Sequence, residues 1–393
     1  MQTVLQREIE STVSAGPARR AVSKESRVAI VHYWLNGMRG GEKVLESLCR
    51  LYPQADIFTH VYEPEKISPL IRSHKVTSSF ISRLPLAKKK YQAYLPLMPI
   101  ALEQLDLTDY DLVISSESGP AKGIITHPDA VHVCYCHSPM RYVWDMYHNY
   151  TRGFGIFRRL LIAPLIHYLK LWDYASAARV DHFIANSSYI ARRIEKIYRR
   201  KAFVINPPVD IDSFYMSDDQ EDFYLLLGQL VPYKRADLAV NAFVESGKKL
   251  IVVGEGECLK KLKDSCRGAE NIEFAGRQPF AKIQELYAKC QALIFPGVED
   301  FGIVPLEALA SGRPVIAYGK GGVLDSVVEG KNGIFFFEQT PESLNSAVSW
   351  FEGNKERFNA EGCRAQAEKF SRDLFEEKLT RFMDSVYSEI VMK

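Results

Sequence analysis

The chain has 393 residues, past the size at which one hydrophobic core keeps growing, so two domains are expected. With 47% hydrophobic and 25% charged residues it has the composition of an ordinary globular protein, and 50 Lys and Arg against 48 Asp and Glu leave a formal charge of +2, which removes any whole-chain electrostatic case for nucleic-acid binding. Seven scattered cysteines, with no second pair at zinc-ligand spacing beside Cys134 and Cys136, point to reduced buried thiols in a cytoplasmic protein rather than a disulfide framework.

In chain order, residues 1–26 lack the apolar core of a secretory signal and read as a flexible leader. RVAIVHYWL then forms a short apolar strand, NGMRGG a glycine turn, and EKVLESLCRLY a helix. Further strands are expected at YDLVISS, AVHVCYCH, HFIANSS and AFVIN. After the polar stretch SDDQEDF the alternation restarts with YLLLGQL, KLIVVGE, NIEFAG, ALIFPG, PVIAYG and GIFFF, with helical segments between them. Buried strands alternating with helices mean parallel sheets with crossover helices, so the expected class is α/β with two Rossmann-like, doubly wound parallel-sheet domains facing across a cleft. The division placed on the sequence is 27–208 and 209–371, and the final helical pattern, 372–393, is expected to cross back onto the first domain. The longest apolar run outside the core strands, Leu160 to Ile166, is far shorter than the ~20 residues of a spanning helix.

Doubly wound sheets bind ligands beyond the carboxyl ends of their strands, which singles out two loops. In the first, Gly37, Gly40 and Gly41 let the backbone turn tightly before a helix whose free N–H groups favour an anion, although a plain strand-to-helix turn has the same pattern. The second is GVEDFGIVPLEALASG, from Gly297 to Gly312. Pro305 suits a first helical turn, which puts Glu307 there too, where the helix dipole alone accounts for a carboxylate. The dipole does not account for Glu299 on the loop, nor for Gly302 between the two glutamates. Backbone N–H groups at Phe301, Gly302 and Ile303, flanked by two hydroxyl-accepting carboxylates, suit a ligand with both phosphate and several hydroxyls, a nucleotide sugar.

Glu299 and Glu307 form an E-x7-E motif in the context E-x-F-G-x-x-x-x-E-A. With the GGE loop, INPPVDIDSF, GQLVPYKRADLAV and GKGGVLDSVVEGKNGIFF in the same order, it resembles the retaining glycosyltransferases of family 4, which have the GT-B fold. HSPMRYVW and FIANSSYIARRI resemble a bacterial O-antigen and capsule mannosyltransferase subgroup, and the likeness runs from about residue 28 to 385. The resemblance implies that Glu307 holds the donor's ribose, Glu299 the transferred sugar and Lys234 the diphosphate, with Gly40 and Gly41 giving backbone donors to the phosphates and His137 beside the sugar. Where the family usually has a second cation this chain has Gln229, so leaving-group stabilisation rests on Lys234, helped by Arg235. Both glutamates are then binding groups, and the implied chemistry is front-face substitution with retention, in which positioning and charge stabilisation carry the rate. Asp210 and Asp212 spell a D-x-D, but they follow a proline pair at the junction where the family has a structural turn, so no metal and no cofactor are expected.

HSPMRYVWD leaves a first-domain strand and is expected to line the cleft opposite Glu299, with Arg141, Tyr142 and Trp144 toward the acceptor: a guanidinium for phosphate and rings for sugar faces. Core packing is the competing account for the two rings. Between Thr151 and Lys201 there are eleven Lys and Arg against three Asp and Glu, mixed with large apolar side chains, and Leu84 to Ile100 repeats that mixture. Such segments suit an anionic membrane surface or, alternatively, a core helix with a solvated face. The family tilts the reading to the inner face of the cytoplasmic membrane, with GDP-mannose as donor and a polyprenyl-diphosphate-linked saccharide as acceptor. A transferase using a UDP-sugar or a soluble acceptor, and a non-catalytic nucleotide-sugar-binding partner subunit, are the alternatives.

Overall fold

The computed structural model describes residues 26–151 and 153–391. The expected leader, up to residue 25, lies outside the described residues. The first sheet has seven strands: β1 (Val28–His32), β2 (Asp56–Thr59), β3 (Val76–Ser78), β4 (Leu112–Glu117), β5 (Val131–Cys136), β6 (His182–Ala185) and β7 (Ala202–Val204). Their order is β3-β2-β1-β4-β5-β6-β7, every pair parallel. The central strands β1, β4 and β5 are buried along their whole length, as helices on both faces require. β2 and β3 are additional to the five strands expected in this half; DIFT and VTS hold only two and one apolar residues, so neither shows as an apolar run.

The second sheet has β8 (Tyr224–Leu227), β9 (Leu250–Val253), β10 (Ile272–Gly276), β11 (Leu293–Phe295), β12 (Val315–Tyr318) and β13 (Gly333–Phe336), ordered β10-β9-β8-β11-β12-β13 and again all parallel. All six were expected from the apolar runs. The order in which strands are added reverses at β1/β4 in the first domain and at β8/β11 in the second, and the crevices at these switch points are where ligands of such sheets bind.

Between the sheets, Val209, Ile211 and Phe214 already pack into the second core. The last helix, Arg372–Val391, returns: Phe375, Leu379, Phe382, Met383 and Val386 pack into the first-domain core with β1, and Arg50 pairs with Glu376 at 3.7 Å. Leu374 of the same helix is at the surface. All seven cysteines are free thiols, and six of them are buried.

Candidate functional site

In the second domain the chain leaves β11 at Phe295, passes Glu299 and enters the helix Ile303–Ala310. Gly302, at φ 90°, makes the turn into that helix, a conformation that other residues adopt only under strain. The helix begins two residues before Pro305, which has no N–H and is tolerated within the first turn. Glu307 is therefore in the second turn rather than the first, and the helix-dipole account of it falls. It is instead a half-buried carboxylate that accepts a hydrogen bond from Tyr287 Oη at 2.8 Å. Burial pushes it above the ordinary glutamate value, against the Tyr287 hydrogen bond and the Lys234 charge.

Glu299 meets Lys234 at 2.9 Å. Burial opposes the ammonium, but Glu299 outweighs it and holds Lys234 above its ordinary value. The two line one small cleft with Gly228, Gln229 and Gly297. Lys234 fits because Gly297 has no side chain: a Cβ there would lie 2.7 Å from the Lys234 Cα. Gln229 is exposed beside it, whereas Arg235 turns away to Asp237 at 3.1 Å and Gln339 at 3.3 Å. The Phe301 ring is buried in the core against Phe370, so of Phe301 only the backbone is left to face a ligand. The loop rests on Gly321 and Gly322, whose added Cβ atoms would come within 2.6 Å of the Glu299 carbonyl and 2.3 Å of the Asp300 carbonyl. The sequence reading quoted this glycine pair without giving it a role.

The first-domain loop closes on the same place. Gly40 opens the helix Gly40–Leu51, and a Cβ on it would be 2.8 Å from Ile303 Cδ1; at Gly41 it would be 2.4 Å from Tyr33 Oη. Gly41 is thus set against buried aromatic rings, whereas Gly40 meets the tip of the Ile303 side chain across the domain boundary. His137, just past β5, is half-buried, with Nε2 2.9 Å from Ser116 Oγ. Burial, reinforced by His32, pushes it down to about 3, so it is neutral at physiological pH.

Asp300, next to Glu299 in sequence, had no role in the sequence reading and is the hub between the domains. Its carboxylate accepts from Arg141 Nε at 2.7 Å, pairs closely with Arg141 Nη2, and meets Arg193 Nη1 at 3.3 Å, while its carbonyl accepts from Ser187 Oγ. Burial works against the Arg141 cation, and Asp300 outweighs it. A second tie runs from Asp325, which accepts from the Ser188 N–H at 2.7 Å and from Asn206 Nδ2 at 3.2 Å, at the start of the helix Ser188–Tyr198. Both aspartates lie in segments quoted as motifs, but which first-domain groups each faces is a tertiary fact.

Arg141 therefore has a partner across the cleft, beside Glu299. Trp144 Nε1 donates to Asp173 Oδ2 at 2.6 Å, and Trp144 and Tyr142 pack against the first-domain core, as the competing account had it. Asp210 and Asp212 sit in a turn at the junction, Asp210 holding Ser213 at 2.8 Å and Arg372 at 3.8 Å, Asp212 near Arg364 at 3.9 Å.

Two doubly wound parallel sheets, with loops from both switch points meeting at Gly40 and Ile303, define the GT-B fold. A protein of that fold, Anabaena HepE in complex with UDP, superposes with a TM-score of 0.68 at 17% identity, covering 91% of this chain and 100% of that one. The chain carries a glycosyltransferase family 4 domain over residues 38–213 and a glycosyl transferases group 1 domain over 211–369. Among relatives by sequence, an uncharacterized glycosyltransferase of Methanocaldococcus jannaschii is 28% identical over 53% of this chain and 60% of its own length. The O-antigen chain mannosyltransferase RfbU of Salmonella typhimurium is 28% identical over 36% of this chain and 43% of its own. The chain spans about half the length of the curated relatives it matches.

Proposed function

We propose that this protein is a retaining glycosyltransferase that moves mannose from GDP-mannose onto a polyprenyl-diphosphate-linked saccharide, by front-face substitution and without a metal. The observation that carries the transferase reading is the Lys234–Glu299 pair at 2.9 Å, set at the carboxyl ends of β8 and β11 where the Gly40 turn meets the Ile303 helix. A cation held beside a diphosphate offsets the charge that builds on the leaving group as the glycosidic bond breaks. In this reading Glu299 exchanges its lysine for sugar hydroxyls when the donor enters, and the two charges pass to the two ends of the ligand. Tyr287 leaves Glu307 Oε1 for ribose hydroxyls. The acceptor hydroxyl gives its proton to the departing phosphate, so no side chain is needed as nucleophile.

The acceptor reading rests on one flank of the first domain. In the helix Ile156–Ser176, Leu169 and Trp172 are buried, but Ile156, Phe157, Leu160 and Leu161 are 65–81% exposed, with Arg158 and Arg159 among them. Core packing thus accounts only for the second half of that helix. Leu86, Leu97 and Ile100 are exposed near the exposed Lys88, Lys89 and Lys90 in sequence, and Leu95 packs against the same core cluster as Leu165 and Ile166. Exposed apolar side chains among cations suit an anionic membrane surface, where a lipid-linked acceptor is presented. No described helix is long and apolar enough to cross a membrane.

Mannose is supported by the RfbU relative, whereas the UDP in the HepE complex favours a UDP-sugar as the second reading. The test offers the purified protein labelled nucleotide sugars with polyprenyl-diphosphate saccharides or soluble sugars, with and without EDTA. Transfer from GDP-mannose to the lipid-linked acceptor in EDTA is expected. Transfer only from a UDP donor removes mannose, transfer only to soluble sugars removes the membrane acceptor, and loss in EDTA restored by magnesium or manganese removes the metal-free mechanism.

A further inference from the structure

The first-domain switch point holds a file of four polar side chains that ends on His137, and the donor-site reading leaves the other three unused. Glu42 Oε1 lies 3.6 Å from His32 Nε2, His32 Nδ1 lies 3.0 Å from Ser116 Oγ, and Ser116 Oγ lies 2.9 Å from His137 Nε2. Three of the four are sealed from solvent, with exposures of 0% for His32 and Ser116 and 1% for Glu42. No hydrogen bond at ordinary distance satisfies His32 Nε2, which leaves Glu42 as the polar group that it faces.

Each link of such a file has one proton, and the file can run in two senses. If the Ser116 hydroxyl donates to His137, it must accept from His32 Nδ1–H, and a neutral His32 then turns the bare lone pair of Nε2 toward a carboxylate oxygen. That places two acceptors face to face without water, which is costly in a buried site. In the opposite sense His32 Nε2–H points at Glu42, His32 Nδ1 accepts from Ser116, and Ser116 accepts from His137 Nε2–H. Every atom is then matched. The Glu42 carboxylate is fixed on its other side by the Arg39 N–H at 2.8 Å. Burial favours its neutral form, but the His32 ring and the backbone donors hold it below the ordinary glutamate value, so it is the ionised acceptor that the second sense needs.

We infer that Glu42, His32 and Ser116 are positioning residues that hold His137 in the Nε2–H tautomer, leaving Nδ1 as a hydrogen-bond acceptor that takes a neutral O–H of the donor sugar and repels an anionic oxygen such as a uronic acid carboxylate. Among the described residues His137 Nδ1 has no protein partner, and it is not sealed from solvent. Naming the sugar rests on the glycosyltransferase reading; the tautomer does not.

The test is nitrogen NMR of the full chain labelled with 15N-histidine, about two pH units above the ordinary imidazole value of about 6.5, with His137 assigned by the signal lost in His137→Gln. Wild type is expected to show a pyrrole-type Nε2 and a pyridine-type Nδ1 at His137. Glu42→Gln removes the charge that orients the file and Ser116→Ala breaks it, and each should populate the other tautomer, while Ser116→Thr keeps the wild-type signature. An Nδ1–H at wild-type His137, a doubly protonated His32, or a tautomer unmoved in both Glu42→Gln and Ser116→Ala overturns the inference. In turnover, the first two variants should raise KM for the nucleotide sugar roughly 3- to 10-fold while inhibition by the free nucleoside diphosphate stays at wild type, since one neutral hydrogen bond is lost. A chain that transfers no sugar overturns the enzyme reading and leaves the NMR result to decide the tautomer.

Discussion

Replacing Asp300 with Asn removes the charge on which Arg141 and Arg193 converge, with almost no change of shape. The side chains of Asp300 and Arg141 are 15% and 19% exposed, so solvent screens the pair only in part. At about 3 Å and an effective dielectric of about 20, one such pair attracts by roughly 5 kcal/mol before desolvation is counted. Desolvation offsets much of this, Asn keeps one acceptor oxygen, and Arg193 keeps Asp145 at 2.5 Å. The net cost of Asp300→Asn then falls mainly on Arg141 and comes to about 2 kcal/mol, typical of a hydrogen bond to a charged group. Denaturant unfolding of wild type, Asp300→Asn, Arg141→Met and the double variant should give a coupling energy of about 2 kcal/mol, read from the same transition in all four proteins. Coupling below about 0.5 kcal/mol, the error of additivity, would refute the hub.

Glu307→Ala should weaken binding of the free nucleoside diphosphate, whereas Glu299→Ala should spare it and still lower turnover; titration calorimetry beside a transfer assay separates the two, and wild-type behaviour in both variants counts against the E-x7-E assignment. Lys234→Ala should lower kcat by roughly 100- to 1000-fold, as for loss of a group that stabilises developing negative charge, and an effect on KM alone would place the lysine elsewhere. Since burial raises Glu307 and the ionised form is the one that accepts two hydroxyls, nucleotide affinity should be full above its pKa and fall as the pH drops through it, at a pH above the ordinary value of about 4.3. Tyr287→Phe removes a hydrogen bond that stabilises the carboxylate and should move the loss to higher pH still; an affinity unchanged down to about pH 4.3 in wild type contradicts this. Phe157→Glu with Leu161→Glu should reduce sedimentation with anionic vesicles by roughly 100-fold, since burying each apolar side chain is worth about 1.5 kcal/mol or more, and pelleting equal to wild type would remove this flank as the membrane surface.

Much of the architecture was legible in the chain because buried parallel strands are short apolar runs: eleven of the thirteen strands show as such, and the two that do not, β2 (DIFT) and β3 (VTS), hold only two and one apolar residues. The donor loops were legible too, because a glycine turn before a helix and an E-x7-E leave fixed local spacings. Local spacing also misplaced Glu307, since Pro305 marked a helix start that Gly302 in fact makes two residues earlier. What the sequence by itself determined is therefore what one segment can specify: strand, turn, helix, and the residue types delivered to each strand's end. Tertiary structure alone decided which delivered groups meet. It paired Lys234 with Glu299, gave Arg141 the carboxylate of Asp300 from a residue 159 positions away, seated Trp144 on Asp173, and left Phe157 and Leu161 in solvent while Leu169 and Trp172 of the same helix went into the core. A side chain's type fixes its appetite for a partner or for burial, but the partner comes from a distant segment brought near by sheet order and domain closure, and no local pattern encodes that distance.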